Sequence, residues 1–289
     1  MRSKPVTRFF IVSLIAAPLV SMLAWQLNGS AGGTDVTKGL FAVAVVVEVV
    51  ALIQMLGARA LFARSDPGHL IWTLIVGFMA LRLAAEFRNL SIVTGIVQVP
   101  ASIDTASTGL FVYVVLLRYL YTLADLLFVA ALIASIRAYK STELNFELVA
   151  IDYFYILMVW AIPIVTYVLR GNLGVAGISN SDKYTPIYRL VAVFVGAVIA
   201  SLCLVIRRYV VLMGGGAVAR IWNSVAAAGI SRDASFLALA LLSAAWRPGA
   251  EFLEQYLIWI FANLWLLAAV YQQEVVPRAP RAAMAEAVS

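Results

Sequence analysis

Six carboxylates interrupt apolar stretches long enough to cross a membrane: Glu48, Glu86, Asp125, Asp152, Glu251 and Glu254. A charge at the centre of a bilayer costs roughly 2.5–3.5 kcal/mol on insertion scales. Each of these residues therefore needs a partner, a water-filled cavity or a task. The surrounding chain is 63% hydrophobic and 12% charged, with a mean hydropathy of +0.95. Soluble domains are about 45–50% apolar and about 25% charged. The runs also lack the strict alternation of an outer-membrane barrel. The expected fold is an all-α integral membrane protein, a bundle of seven transmembrane helices. At about 20 residues per span, that leaves only short loops, and thus a single polytopic membrane domain over 1–276 with a disordered tail at 277–289.

In the first expected segment, Met1 to Trp25, Arg2, Lys4 and Arg8 precede the apolar run from Phe9, and no A-x-A-like cleavage site follows, so the span reads as uncleaved. A Gly/Ser-rich turn at Asn28 to Gly33 precedes the next span, about Leu40 to Phe62. Further spans are expected near Leu70–Val93, Leu110–Ile136, Phe146–Leu169, Ile187–Ile206 and Ala250–Tyr271. Ala217 to Ile230 reads as a helix lying along the membrane interface. The apolar run 235–246 is short for a span and is interrupted by Arg247-Pro248-Gly249. It suits a re-entrant or buried half-helix, or else an eighth crossing.

Lys and Arg counts orient the chain. With a cytoplasmic N-terminus, the inner segments hold eleven: Arg2, Lys4, Arg8, Arg59, Arg64, Arg137, Lys140, Arg207, Arg208, Arg220 and Arg232. The outer segments hold five: Lys38, Arg170, Lys183, Arg278 and Arg281. An eighth crossing would move the last two inside. The expected location is a bacterial inner membrane. The formal charge of +6 is explained by headgroup contacts at helix ends, with no basic stripe for nucleic acid.

Arg82 and Glu86 are four residues apart and share a helix face. Arg118, Tyr121, Thr122 and Asp125 occur at offsets of three, four and seven, so they form one polar stripe that lipid cannot face. Arg118 is expected to pair with Glu86 or Glu251, and Asp125 to seek Arg82. Glu251 and Glu254 are three apart near a helix start, as a carboxylate pair at a cavity mouth would be. Glu48 stands alone in a Val-rich run, with Arg189 as a candidate partner. The plainer reading of every pair is an ion lock that fixes helix packing. For Asp152, beside Tyr153 and Tyr155, it is a solvated carboxylate in an interfacial aromatic belt.

The order Arg82…Glu86 followed by Tyr121…Asp125 resembles the arginine–glutamate and tyrosine–aspartate pairs of the fungal seven-helix lipid-translocating-exporter-like family. Each spacing departs from that pattern by one residue, so the likeness carries no function over.

Several chemistries lack their residues. All four lysines fall outside the expected spans, which excludes a buried Schiff-base lysine. One cysteine, Cys203, excludes an intrachain disulfide or CxxC pair, and one histidine, His69, excludes a His-rich metal site. Gly214 to Gly216 is a hinge, not a phosphate loop. No cofactor, metal or catalytic residue is expected. The leading expectation is a polar intramembrane cavity that binds or translocates a small or amphipathic solute, with proton coupling. Its residues would be Arg82, Glu86, Arg118, Tyr121, Asp125, Glu251 and Glu254. The alternatives are a non-catalytic helical subunit packed against partner membrane subunits or copies of itself, a seven-helix sensor, and a membrane enzyme using carboxylates as acid and base.

Overall fold

The structure, a computed structural model, describes residues 38–98, 107–140, 147–170, 185–212 and 216–275. The expected first span, the Asn28–Gly33 turn and the tail lie outside the described residues. Among those described, all regular secondary structure is helical. The helices are α1 (Lys38–Arg59), α2 (Pro67–Val93), α3 (Thr108–Val114), α4 (Leu120–Lys140), α5 (Ala150–Arg170), α6 (Thr185–Leu212) and α7 (Ala217–Val275). A single 3-10 turn, Leu116–Tyr119, joins α3 to α4. Five segments are long and apolar enough to cross a membrane: Lys38–Arg59, Pro67–Val93, Thr108–Lys140, Phe194–Leu212 and Phe252–Val275. The chain is a helical membrane protein.

Local signals set the helix ends. Asp66 caps α2 by accepting from the Gly68 amide at 2.6 Å, with Pro67 at the first helical position. Gly95, at φ 77°, takes the left-handed conformation that ends the same helix. The α1–α2 turn is tied by Arg59 Nε donating to Thr73 Oγ1 at 2.8 Å.

The core lies where α1, α2, α4, α6 and α7 meet. Phe78 stacks on Phe128 with centroids 4.9 Å apart, and Trp265 packs against both rings. Gly229 permits a close approach of α7 to α6. A methyl there would meet Cys203 Sγ at 3.1 Å and Ile199 at 3.4 Å. At one end of the bundle Tyr139 packs on Tyr209 and Trp222, joining the C-termini of α4 and α6 to the start of α7. Arg137, Lys140, Arg207 and Arg220 gather at that end. In α5, Asp152 lies 3.7 Å from Arg208, while Tyr153 and Tyr155 are exposed.

Two expectations about α7 are corrected. Ala217 to Ile230 is no surface helix: Ala219, Ile221, Trp222, Val225, Ala226 and Ala228 all enter the core. Its small side chains suit close packing, which the flanking glycines and arginines disguised. Helical backbone also continues through Arg247-Pro248-Gly249. A straight helix would put Gly229 and Trp265 about 54 Å apart. Yet a methyl at Gly229 would lie 3.7 Å from Phe128, and the Trp265 ring is 5.2 Å from the same residue. The chain therefore doubles back between 235 and 252. The outgoing limb packs against α6. The returning limb runs parallel to α1, since Trp259 packs on Leu40 and Ala44 while Gln273 bonds Gln54.

Candidate functional site

Five ionisable side chains from four helices meet at mid-depth. Glu48 lies about halfway along α1, Arg82 and Glu86 sit on α2, Asp125 on α4 and Arg232 on the outgoing limb of α7. Each is buried. Arg82 is the hub. Its Nε donates to Glu48 Oε1 at 3.2 Å, and its Nη2 lies 2.8 Å from Glu86 Oε1. The guanidinium carbon stands 4.2 Å above the Phe261 ring and 5.7 Å from the Tyr121 ring. Both distances suit cation–π attraction, which is strongest where water is excluded. Arg232 Nη2 donates to Asp125 Oδ2. Arg232 is within electrostatic reach of Glu48, and Arg82 of Asp125, so the five charges form one cluster.

Among the described residues the cluster is not balanced: three carboxylates face two guanidiniums, one negative charge in excess. Glu48 is 0% exposed, and its Oε2 has no hydrogen-bond partner among the described residues. Thr122 Oγ1, on α4, is likewise without one. At this depth an uncompensated charge is costly. Within this set neutrality needs one further positive charge, whether a proton, a cationic group or a basic side chain outside the described residues. Among the described residues, no group of three His, Cys, Asp or Glu is placed to hold a metal ion.

A second polar network runs from the cluster along the seam of α2 and α4. Tyr121 OH accepts from Asn89 Nδ2 at 2.6 Å, and Asn89 Oδ1 accepts from Arg88. Arg88 also donates to the Tyr113 and Val114 carbonyls. The 3-10 turn after α3 takes those carbonyls out of the regular α-helical ladder. Inside a membrane, freed backbone groups must find another partner, and the guanidinium replaces two amides at once. Ser91 Oγ and Tyr113 OH close the network at 2.7 Å.

Of the sequence-predicted site residues, the structure brings Arg82, Glu86, Tyr121 and Asp125 together. Arg118 falls in the 3-10 turn and is half-buried, so the stripe is not continuous through it. Glu254 is half-buried on the returning limb, and the Glu251 side chain lies outside the described residues. Asp125 bonds Arg232, where Arg82 was expected, and Glu48 is paired by Arg82. The Arg189 side chain lies outside the described residues. Arg232 is the residue that sequence reasoning missed. It was counted as a loop charge, yet Ile221, Val225, Ala228, Arg232 and Ser235 repeat at alternating steps of four and three, and all are buried. That phase places Arg232 on the inward stripe.

No protein-family model, curated protein or solved structure matches the chain.

Proposed function

We propose that this protein binds or translocates a small or amphipathic solute at the buried charge cluster, and that proton uptake accompanies the event. The observation that carries this reading is the odd charge count together with the unbonded Glu48 oxygen. A cluster serving only to lock helices has no use for an unmatched carboxylate. One that exchanges a proton or a cationic group requires it. Glu48, Arg82, Glu86, Asp125 and Arg232 are the core residues, with Tyr121 and Phe261 against the Arg82 guanidinium. Arg118, Glu251 and Glu254 stay as candidates nearer the membrane faces.

The seven-crossing topology is part of the proposal, and the reversal within α7 favours its eight-crossing version. In that version the outgoing limb crosses beside α6, and the returning limb crosses back beside α1. The C-terminus then lies on the same side as the basic end of the bundle. By the positive-inside rule that end is cytoplasmic, with the bacterial inner membrane as the setting. The large apolar side chains exposed on α5, including Ile151, Phe154 and Leu157, face lipid or a partner membrane subunit.

The test is reconstitution into liposomes loaded with a pH-sensitive dye, challenged with a panel of amphipathic cations and neutral solutes. At least one solute drives a proton flux that Glu48→Gln and Asp125→Asn abolish while folding and insertion persist. Correctly inserted variants whose flux equals that of the parent chain would remove the proposal.

A further inference from the structure

Three more buried polar atoms bear on how Glu48 reaches water. Gln255 Oε1 and Trp259 Nε1, on the returning limb of α7, have no hydrogen-bond partner among the described residues. Trp265 Nε1 is also without one, but its ring is packed against Phe78 and Phe128 in the core. Gln255, Trp259 and Asn263 are four residues apart in turn, so they rise along one face of the limb in steps of about 6 Å. That face lies on α1. Trp259 packs against Leu40 and Ala44, and Gln273 Nε2 bonds the Gln54 carbonyl at 2.8 Å. The two helices run parallel in nearly constant register. Asn263 thus stands level with Ala44, one turn from Glu48, while Gln255 lies beyond the described start of α1. The side chains from Gln255 to the Glu48 Oε2 atom form an interrupted polar ladder.

We propose that this α1–α7 seam is a proton path: water bridges Gln255, Trp259 and Asn263 to the unbonded oxygen of Glu48. It rests on the preceding reading that the cluster takes up a proton. A single water joins polar groups too far apart for a direct bond at little free-energy cost. The step is balanced: hydronium at the membrane face gives up its proton along the file, Glu48 carboxylate becomes the neutral acid, and water remains.

The groups facing Glu48 are Arg82 and Glu86 from α2, and Arg232 from the outgoing limb with Asp125 of α4 behind it. The α2–α4 network is the competing route. There each polar bridge is already made by protein, and Arg88 places a fixed positive charge on it. An arginine in such a position opposes a proton. The described α1–α7 seam has Trp259 facing the uncharged Leu40 and Ala44, with Lys38 at its outer end, at the start of α1. Its mouth lies at the end opposite Arg137, Lys140, Arg207 and Arg220, so protons reach the cluster from the less basic face.

Infrared spectroscopy of the full chain in lipid nanodiscs tests the path by following the protonated carboxyl stretch after transfer to D2O. Glu48→Gln removes the band, which assigns it. Gln255→Leu and Trp259→Phe, each checked for unchanged thermal unfolding, slow its exchange roughly tenfold by deleting one rung. Gln273→Leu, at the other end of the seam, leaves the rate unchanged. Parent-like exchange in both Gln255→Leu and Trp259→Phe overturns the path while leaving the charge site intact, as does slowing by Gln273→Leu. A band that survives Glu48→Gln overturns the proton reading of the site itself.

Discussion

Replacing Arg232 by leucine exposes how the cluster is balanced. The Arg232 and Asp125 side chains are each 3% exposed, so neither charge can turn to water when its partner is lost. Arg232→Leu leaves Glu48, Glu86 and Asp125 facing Arg82 alone, doubling the negative excess. Removing one partner of a buried pair costs about 3–5 kcal/mol, and we expect that range here. Asp125→Leu does the opposite for charge. Two carboxylates then face two guanidiniums, with Arg232 still in reach of Glu48. Its cost is confined to one lost charged hydrogen bond, about 1.5–3 kcal/mol. The double variant Asp125→Leu/Arg232→Leu restores the parent's excess of one carboxyl group over guanidiniums and replaces a pair by apolar volume, which is often neutral. It should recover to within about 1 kcal/mol of the parent, a strongly favourable coupling in a double-mutant cycle. The assay is reversible unfolding in mixed micelles, followed by far-ultraviolet circular dichroism. Equal costs for the two single variants would refute the charge accounting. A double variant as unstable as Arg232→Leu would refute the pairing.

Cys203 supplies an independent readout: it is buried against Gly229, so a maleimide should label it only after α6 and α7 separate, in step with the loss of helical signal. Arg88→Met strands the Tyr113 and Val114 carbonyls, costing about 1–3 kcal/mol for each unsatisfied group in the same unfolding assay, and Arg88→Lys recovers only part because one ammonium lacks the planar fork. Glu48→Gln keeps an acceptor for Arg82 and removes the unmatched charge, so in the same unfolding assay it should cost less than the roughly 3–5 kcal/mol of breaking a buried pair, even as proton flux is lost. Phe78→Ala should cost about 3–5 kcal/mol by emptying the ring cluster, read from the shift in the unfolding midpoint.

The membrane class and the presence of an interior charge site are legible in the residues themselves. Arg82 and Glu86 reveal their pairing because a four-residue step on a helix fixes their distance before any tertiary contact forms. Asp125 reveals only that it needs a cation. Its partner lies 107 positions away, and no local spacing encodes that contact. Glu48 shows the same limit, since several arginines satisfy its need equally well in sequence. Arg118 was misplaced for a different reason: its stripe assumed an unbroken α-helix, and a 3-10 turn changes the angular step per residue. The break itself is stabilised by Arg88, through side chain-to-carbonyl bonds that leave no periodic trace. The reversal in α7 left no mark of this kind: helical backbone runs through Arg247-Pro248-Gly249, and the turn is read from the contacts of the two limbs with Phe128.

The returning limb of α7 also sets an order on biosynthesis. The ribosome releases Glu48 and Asp125 long before Arg232, and Phe261 and Gln273 emerge later still. Until then the early helices hold acids that lack part of their counterions, and the α1 seam has nothing to lie against. A chain terminated after α6 would carry a surplus of buried acids with no means of neutralising them. Such a fragment should be retained by the insertion machinery or degraded, so a premature stop here acts as a full loss of the protein.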